Sequence, residues 1–339
     1  MKTIFIVDDN NVNLLAAEDA LTEHYRPFTL PSAASMFELI KDIMPDLILL
    51  DIEMPEIDGF ETIRRLKANE KYKNVPVIFL TSRKDADSEA LGFELGAVDF
   101  ISKPFSESVL RNRIKMHLDV EAIIREQTNE LQKLKDSIIT VLASVVENRD
   151  MLTGGHIERT ASYIKILIEA MRERGVYAEE IDKWDLDSVI LSARLHDVGK
   201  VIVSDLILNK PGKLTDEEME TMKNHAIKGE QIIDDIILGS GNQVFLHDAK
   251  LFAGCHHERW DGTGYPRGLK QDDIPLQGRI MAIADVYDAL VSERPYKRAF
   301  SHEKALDIIM ESKGTHFDPK IVDTFLAVSD SFAQVGEAM

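Results

Sequence analysis

The 339-residue chain has one cysteine, Cys255, and two tryptophans. It also has no apolar run near the ~18 residues that a membrane-spanning helix needs. A lone thiol excludes an internal disulfide and any paired-thiol redox or zinc-ribbon site. The amino terminus, Met1-Lys2-Thr3-Ile4-Phe5-Ile6-Val7-Asp8-Asp9, meets two acids after a short apolar run, too short for a secretory signal. The expectation is a soluble, cytoplasmic protein with no membrane partner. Positive charge is scarce too: 40 Lys and Arg stand against 59 Asp and Glu, a net charge of -19. Such a field repels phosphate backbones and anionic headgroups, which argues against nucleic-acid binding. Any phosphorylated substrate then needs local positive charge. What remains, 44% hydrophobic and 29% charged residues, is ordinary globular composition, and the length fits two domains with a connecting element.

Within residues 1–118, short apolar runs alternate with amphipathic stretches. Thr3 to Val7 precedes a helical pattern from Val12, Asp46 to Leu50 precedes Gly59 to Asn69, and Val75 to Leu80 precedes Ser88 to Leu95. Uninterrupted apolar runs between helices predict parallel strands covered on both faces, hence a doubly wound α/β domain. In such a sheet function collects at the carboxyl ends of the strands. There stand Asp8 and Asp9, Asp51, Thr81, and Lys103-Pro104. Three converging carboxylates repel one another unless a cation lies among them, and hard oxygen ligands suit Mg2+. Ion and lysine together would orient an incoming phosphoryl group for attack by Asp51, the least encumbered carboxylate. Any one of these residues alone reads equally well as a solvent-facing strand end.

In this order, and with Met54-Pro55 and Asp58-Gly59, they resemble the response-regulator receiver domain over residues 1–118. The resemblance implies a five-stranded parallel sheet whose Asp51 accepts phosphate from a sensor histidine kinase. It also implies that Asp8, Asp9 and the Glu53 carbonyl help Asp51 hold magnesium, and that Thr81 and Lys103 bind the phosphoryl oxygens. Phe100 would be the aromatic switch, and the Lys103-Pro104 peptide bond would be cis.

Neither proline nor glycine occurs from Ser106 through Leu152, and the segment is rich in Glu, Lys, Gln, Leu and Ile. This predicts one long helix over residues 106–150. Val120, Ile124, Gln127, Leu131, Leu134, Ile138, Val141 and Val145 recur at alternating steps of four and three, a coiled-coil seam with one polar member. Either the seam pairs two copies as a parallel homodimer that relays the state of the first domain, or it packs on its own domain.

Eight of the ten histidines lie beyond residue 150, in a half that is mostly helical by pattern. An apolar helical run ends in His196-Asp197-Val198-Gly199-Lys200. Neighbouring helical positions diverge by ~100°, so this His and Asp can reach two sides of one metal centre, the carboxylate bridging two ions. His156, His225, His256, His257 and Asp285 complete five histidines and two aspartates. That set suits iron, manganese, zinc or nickel and exceeds one tetrahedral zinc. Two ions ~3.5–4 Å apart with a bridging hydroxide as nucleophile are a standard device for hydrolysing phosphoesters. Lys200 offers a phosphate its charge, and Tyr265, in a loop shaped by glycines and a proline, can stack on or hydrogen-bond a nucleotide. Taken singly, each histidine is as ordinary as His247, His302 and His316, which read as core or surface residues.

Together, several runs resemble the HD-GYP family of phosphohydrolases. They are Arg149-Asp150 with Thr153-Gly154-Gly155-His156, His196 to Lys200, Lys210-Pro211-Gly212-Lys213-Leu214, His256 to Pro266, Ala284 to Leu290, and Arg294-Pro295-Tyr296-Lys297. The match runs from Glu147 to Phe325 within a domain of residues 147–330. It implies an all-α HD-superfamily fold and a cyclic di-GMP phosphodiesterase that yields the linear dinucleotide and/or GMP. By position, it implies that His156, His196, Asp197, His225, His256, His257 and Asp285 are the metal ligands, with Asp197 bridging. Asp197 and Lys200 would be catalytic, Lys200 at the scissile phosphate, with Arg294 and Lys297 on phosphates and Tyr265 at the guanine-ribose region. Some members hold a third metal through a carboxylate four residues before the first histidine. Leu152 stands there, so two ions are expected, iron or manganese ahead of zinc or nickel. The alternatives are a cyclic-dinucleotide-binding scaffold with little catalysis, and a hydrolase of another cyclic dinucleotide such as cyclic GMP-AMP.

Overall fold

The computed structural model describes residues 1–82, 86–149, 155–240, 244–293 and 298–338. The chain divides into two compact units, Met1–Leu131 and Gln132–Met339.

In the first unit the apolar runs become strands β1 (Thr3–Val7), β3 (Leu47–Asp51), β4 (Val77–Thr81) and β5 (Asp99–Ser102), with β2 (Arg26–Leu30) beside β1. All pairs are parallel, in the order β2-β1-β3-β4-β5. Helices α1 (Asn11–Leu21), α2 (Ala33–Leu39), α3 (Gly59–Lys67) and α4 (Ala86–Glu94) alternate with the strands. One face of the sheet packs on α2 and α3 through Met36, Ile63 and Leu66. The other packs on α1 and the start of a long helix, α5 (Glu107–Arg149), through Leu14, Leu110 and Ile114. Strand β2 has no apolar run to betray it: it is an edge strand, contains Pro27, and buries only Leu30. Proline is tolerated there because an outer edge needs no ladder donor. The register pairs Val7 with Leu50, Asp51 with Leu80, and Thr81 with Ser102, which brings the strand-end residues to one edge.

Helix α5 is continuous over 43 residues. Ile139 and Ala143 pack into a core with Ile157, Leu191 and Leu195. The predicted seam is a different face, and its apolar members from Val120 to Val145 are between 48% and 65% exposed. Packing on its own domain therefore uses other residues.

The second unit is helical among its described residues: α6 (His156–Glu173), α7 (Ala178–Ile181), α8 (Leu186–Ala193), α9 (Asp205–Leu208), α10 (Asp216–Ser240), α11 (Val244–Cys255), α12 (Leu276–Val291), α13 (His302–Glu311), α14 (Pro319–Ala327) and α15 (Ser329–Ala338). Its core sets Tyr163 of α6 against Tyr287 of α12 and Phe332 of α15. One expectation is corrected here. The helix α8 stops at Ala193, and His196-Asp197 occupy turns before a 3-10 segment, Val198–Ile202. The amides of Leu195 and His196 bond three residues back, to Ser192 and Ala193, which tightens the chain out of the α-helix. Gly199 then lies against α10, where a Cβ would stand 1.9 Å from the His225 carbonyl oxygen. That contact seats Asp197 beside His225. Among the described residues no helix is long and apolar enough to cross a membrane.

Candidate functional site

At the sheet edge of the first unit, Lys103 Nζ lies 2.6 Å from Asp8 Oδ2 and 2.8 Å from Asp51 Oδ2. Oxygens of Asp8, Asp9 and Asp51 fall within 4.8 Å of one another, a donor set that fits a hard divalent ion. Asp8 is fixed by the Asn10 backbone amide at 2.9 Å and by the Asn13 side-chain amide at 3.1 Å, and Asn13 carried no role in the sequence reading. Burial raises the Asp51 carboxyl above the ordinary range, Lys103 opposes the shift, and Asp8 adds to it. The Glu53 amide faces Asp51 Oδ1 at 3.4 Å. Thr81 is buried at the end of β4, its carbonyl taking the Lys103 amide at 2.8 Å, and the Lys103-Pro104 bond is cis. Phe100 packs on Phe79 and Phe93 with centroids at 5.3 and 4.9 Å. Its ring rests on Gly92, where a Cβ would come within 2.4 Å of it.

In the second unit the seven predicted ligands converge as two triplets about one carboxylate. His156, His196 and Asp285 form one triplet, and His225, His256 and His257 the other, with donor atoms in each within 4.8 Å. Asp197 lies between them: Oδ2 is 3.4 Å from His196 Nε2, and Oδ1 is 3.4 Å from His225 Nε2 and 3.8 Å from His256 Nε2. The imidazoles are oriented from behind. Nδ1 of His196 donates to the Ala193 carbonyl at 2.9 Å, that of His225 to Met222 at 2.7 Å, and that of His256 to Phe252 at 2.9 Å. His156 Nδ1 donates to Asp288 Oδ2 at 2.8 Å. Each ring thereby directs a bare Nε2 lone pair inward, and these meet at 3.4 Å for His156 and His196 and 3.3 Å for His225 and His256. Lone pairs facing one another, beside an Asp197 Oδ1 with no hydrogen-bond partner, are a cation site by construction. The donors are nitrogen-rich and fit borderline divalent ions.

Protonation follows the same design. Burial pushes His256 down to about 3, and burial beside His256 holds His257 well below the usual range. Burial works against ionisation of Asp197, but its neighbours, Lys200 first among them, outweigh it and hold the carboxyl well below its ordinary value. Lys200 Nζ sits 2.7 Å from Asp197 Oδ2. Tyr265 stacks on His257 with centroids 4.6 Å apart, and burial raises its phenol, which stays a neutral donor. The loop holding it is organised by buried Glu258, which accepts from the Arg267 and Leu269 amides at 2.8 and 2.9 Å. Asp288, one turn beyond Asp285, also grips Arg159 at 2.7 Å. The i, i+3 spacing of two aspartates was its only signal in the sequence. Arg294, Lys297 and Leu152 lie outside the described residues.

Residues 4–115 match the response regulator receiver domain family, and residues 140–321 match the HD domain family. A probable cyclic di-GMP phosphodiesterase of Vibrio cholerae is 41% identical, over 99% of this chain and 79% of that protein. The chain is an HD-domain response regulator. This HD-domain response regulator is also 36% identical to the cyclic di-GMP phosphodiesterase response regulator RpfG of Xanthomonas campestris, with 83% of this chain and 75% of RpfG covered. A 3'3'-cGAMP-specific phosphodiesterase 2 of Vibrio cholerae is 38% identical over 61% of this chain and 37% of its own length. Membership of the HD family implies divalent-metal dependence, and receiver domains typically bind Mg2+, for which Asp8, Asp9 and Asp51 offer the donors.

Proposed function

We propose that the HD-domain response regulator is a cyclic di-GMP phosphodiesterase of the HD-GYP type, controlled by phosphorylation of Asp51 by a sensor histidine kinase. The observation that supports it most is the pair of donor triplets about Asp197. Two divalent ions bound there, iron or manganese in this reading, would polarise the phosphodiester and lower the pKa of a water between them. His156, His196 and Asp285 would hold one ion, His225, His256 and His257 the other, and Asp197 would bridge them. Lys200, half-buried beside Asp197, would meet a phosphate oxygen. Tyr265 offers a stacked face and a neutral hydroxyl to the nucleoside. Arg294 and Lys297 complete the phosphate contacts in this reading. In the receiver, Asp8, Asp9, Asp51 and Glu53 would hold Mg2+, with Thr81 and Lys103 on the phosphoryl oxygens. The exposed seam of α5 would join two copies as a parallel homodimer.

The test is product analysis with cyclic di-GMP and cyclic GMP-AMP, using protein loaded anaerobically with iron or manganese. Linear dinucleotide or GMP from cyclic di-GMP is the expected result. The substitution Asp197→Ala should abolish turnover while the circular dichroism spectrum is kept, a loss of ~10³-fold or more for a group that acts on the reacting atoms. Preference for the mixed dinucleotide would move the substrate assignment, and turnover retained by Asp197→Ala would remove the metal assignment.

A further inference from the structure

The last turn of α5 is built into one side of the metal centre. The Glu147 carboxylate accepts from the His156 backbone amide at 2.7 Å, and also faces the Ile157 amide. It thereby caps α6, whose N-cap residue, Gly155, has no side chain to do so. Two residues on, the Arg149 guanidinium spreads over the segment that follows Asp197. It donates to the carbonyls of Lys200 at 3.4 Å, Val201 at 2.7 Å and Val203 at 3.0 Å, and to Asp205 Oδ1 at 2.8 Å. Asn209 returns a bond to the Arg149 carbonyl at 2.8 Å. Higher on the helix, Arg194, two residues before His196, links Thr140 of α5 to Glu158 of α6. Among the described residues, no hydrogen bond or ion pair runs from α5 to His225, His256 or His257 or to their immediate neighbours.

We infer that Glu147 and Arg149 are positioning residues through which the connecting helix acts first on the His156, His196 and Asp285 side of the centre, together with Asp197, while the His225, His256 and His257 side is reached only indirectly. Regulation then weighs unequally on the two halves of the centre. A displacement of the last turn of α5 moves the His156 backbone and the Asp197–Lys200 turn directly, and reaches the second triplet only through Gly199 against the His225 backbone and through the packing of Lys135, Ile139 and Ala143 with α10 and α11. This rests on the proposed reading that the state of Asp51 passes along α5.

The experiment is a metal titration of the full chain with Mn2+ or Co2+ in excess Mg2+, which fills the receiver's carboxylates and leaves two equivalents to follow by calorimetry and the Co2+ visible spectrum. The variants are Glu147→Ala, Glu147→Asp and Arg149→Lys. Lysine keeps the charge but cannot span several carbonyls with one planar fork. Glu147→Ala and Arg149→Lys are expected to weaken one metal equivalent by about 10-fold or more, the size seen when groups behind a ligand are removed. The other equivalent should weaken less, and Glu147→Asp should recover part of the loss. Beryllofluoride at Asp51 should shift the same equivalent in the wild-type chain, and shift it less in the variants. Equal weakening of both equivalents, or of neither, overturns the inference. Should Glu147→Ala fail to fold, Arg149→Lys and amide exchange at His156 in the wild type with Mg2+ alone carry the test, with exchange at His156 expected to respond to beryllofluoride more than exchange at His225, and an equal response overturning the inference. The titration uses no substrate. A wild-type chain that leaves cyclic di-GMP intact yet loses one ion of two in the variants would refute the functional reading and keep this one.

Discussion

Asp288 shows how a single buried carboxylate sets the chemistry of a site it does not enter. It fixes Nδ1 of His156 as the donor, leaving Nε2 bare for a metal, and Arg159 bonds both of its oxygens so that it cannot turn away. His316 is a second, half-buried group with a measurable signature. Burial, reinforced by Arg259, pushes its imidazole down to about 4, against ~6.5 in an unfolded chain. Between those values the unfolded chain binds a proton that the folded chain does not. The stability it contributes is therefore present in full above pH ~6.5 and is lost as pH falls toward ~4. Urea midpoints measured from pH 4.5 to 7 should fall toward acid in the wild type and fall less steeply in His316→Gln. Parallel slopes would show that His316 does not titrate in that window. The sequence reading gave His316 a core or surface role because one histidine beside Phe317 carries no pattern; its stacking on that ring at 4.1 Å exists only in the fold.

Among the elements, the long helix and the three interior strand-and-helix patterns were legible because composition and periodicity are local properties. The missing ones were lost for physical reasons. Strand β2 is half-solvated and so lacks an apolar run, and the end of α8 depends on bonds that reach back three residues instead of four, which no apolar spacing records. The seam of α5 was visible as heptads, but only burial separates it from the face that Ile139 and Ala143 turn to the core. Its exposure gives a direct test. Sedimentation of the full chain should return a dimer, and Leu131→Lys with Leu134→Lys should return a monomer, since two charges in a heptad seam face their own copies across the axis. A wild-type monomer at micromolar concentration, with and without beryllofluoride, would remove the homodimer.

For the whole molecule, a net charge of -19 is compatible with the proposed binding of an anionic dinucleotide because the balance is local. Seven donors, mostly neutral imidazoles, leave the centre short of positive charge until metal enters. Chelation should therefore lower the stability of the second unit: a ligand at about 100 times its Kd stabilises by ~2.7 kcal/mol, and an unfolding midpoint that ignores a chelator would count against the site. That these seven residues gather at one place could be read from the sequence by resemblance. Their division into two triplets could not, since it is decided where α6, α10, α11 and α12 cross, as is the reach of Glu147 and Arg149 from the helix before them. The unbroken course of α5 from Glu107 to Arg149 has one more consequence, of phase. Each residue turns the helix by ~100°, so two added residues in its exposed middle would swing Glu147 by about 200° about the axis. Seven would return it to within ~20° and restore the heptad seam as well. The spacer of this regulator is thus quantised: its length can change by close to whole turns of the helix, and of the short insertions seven alone also keeps the heptad seam.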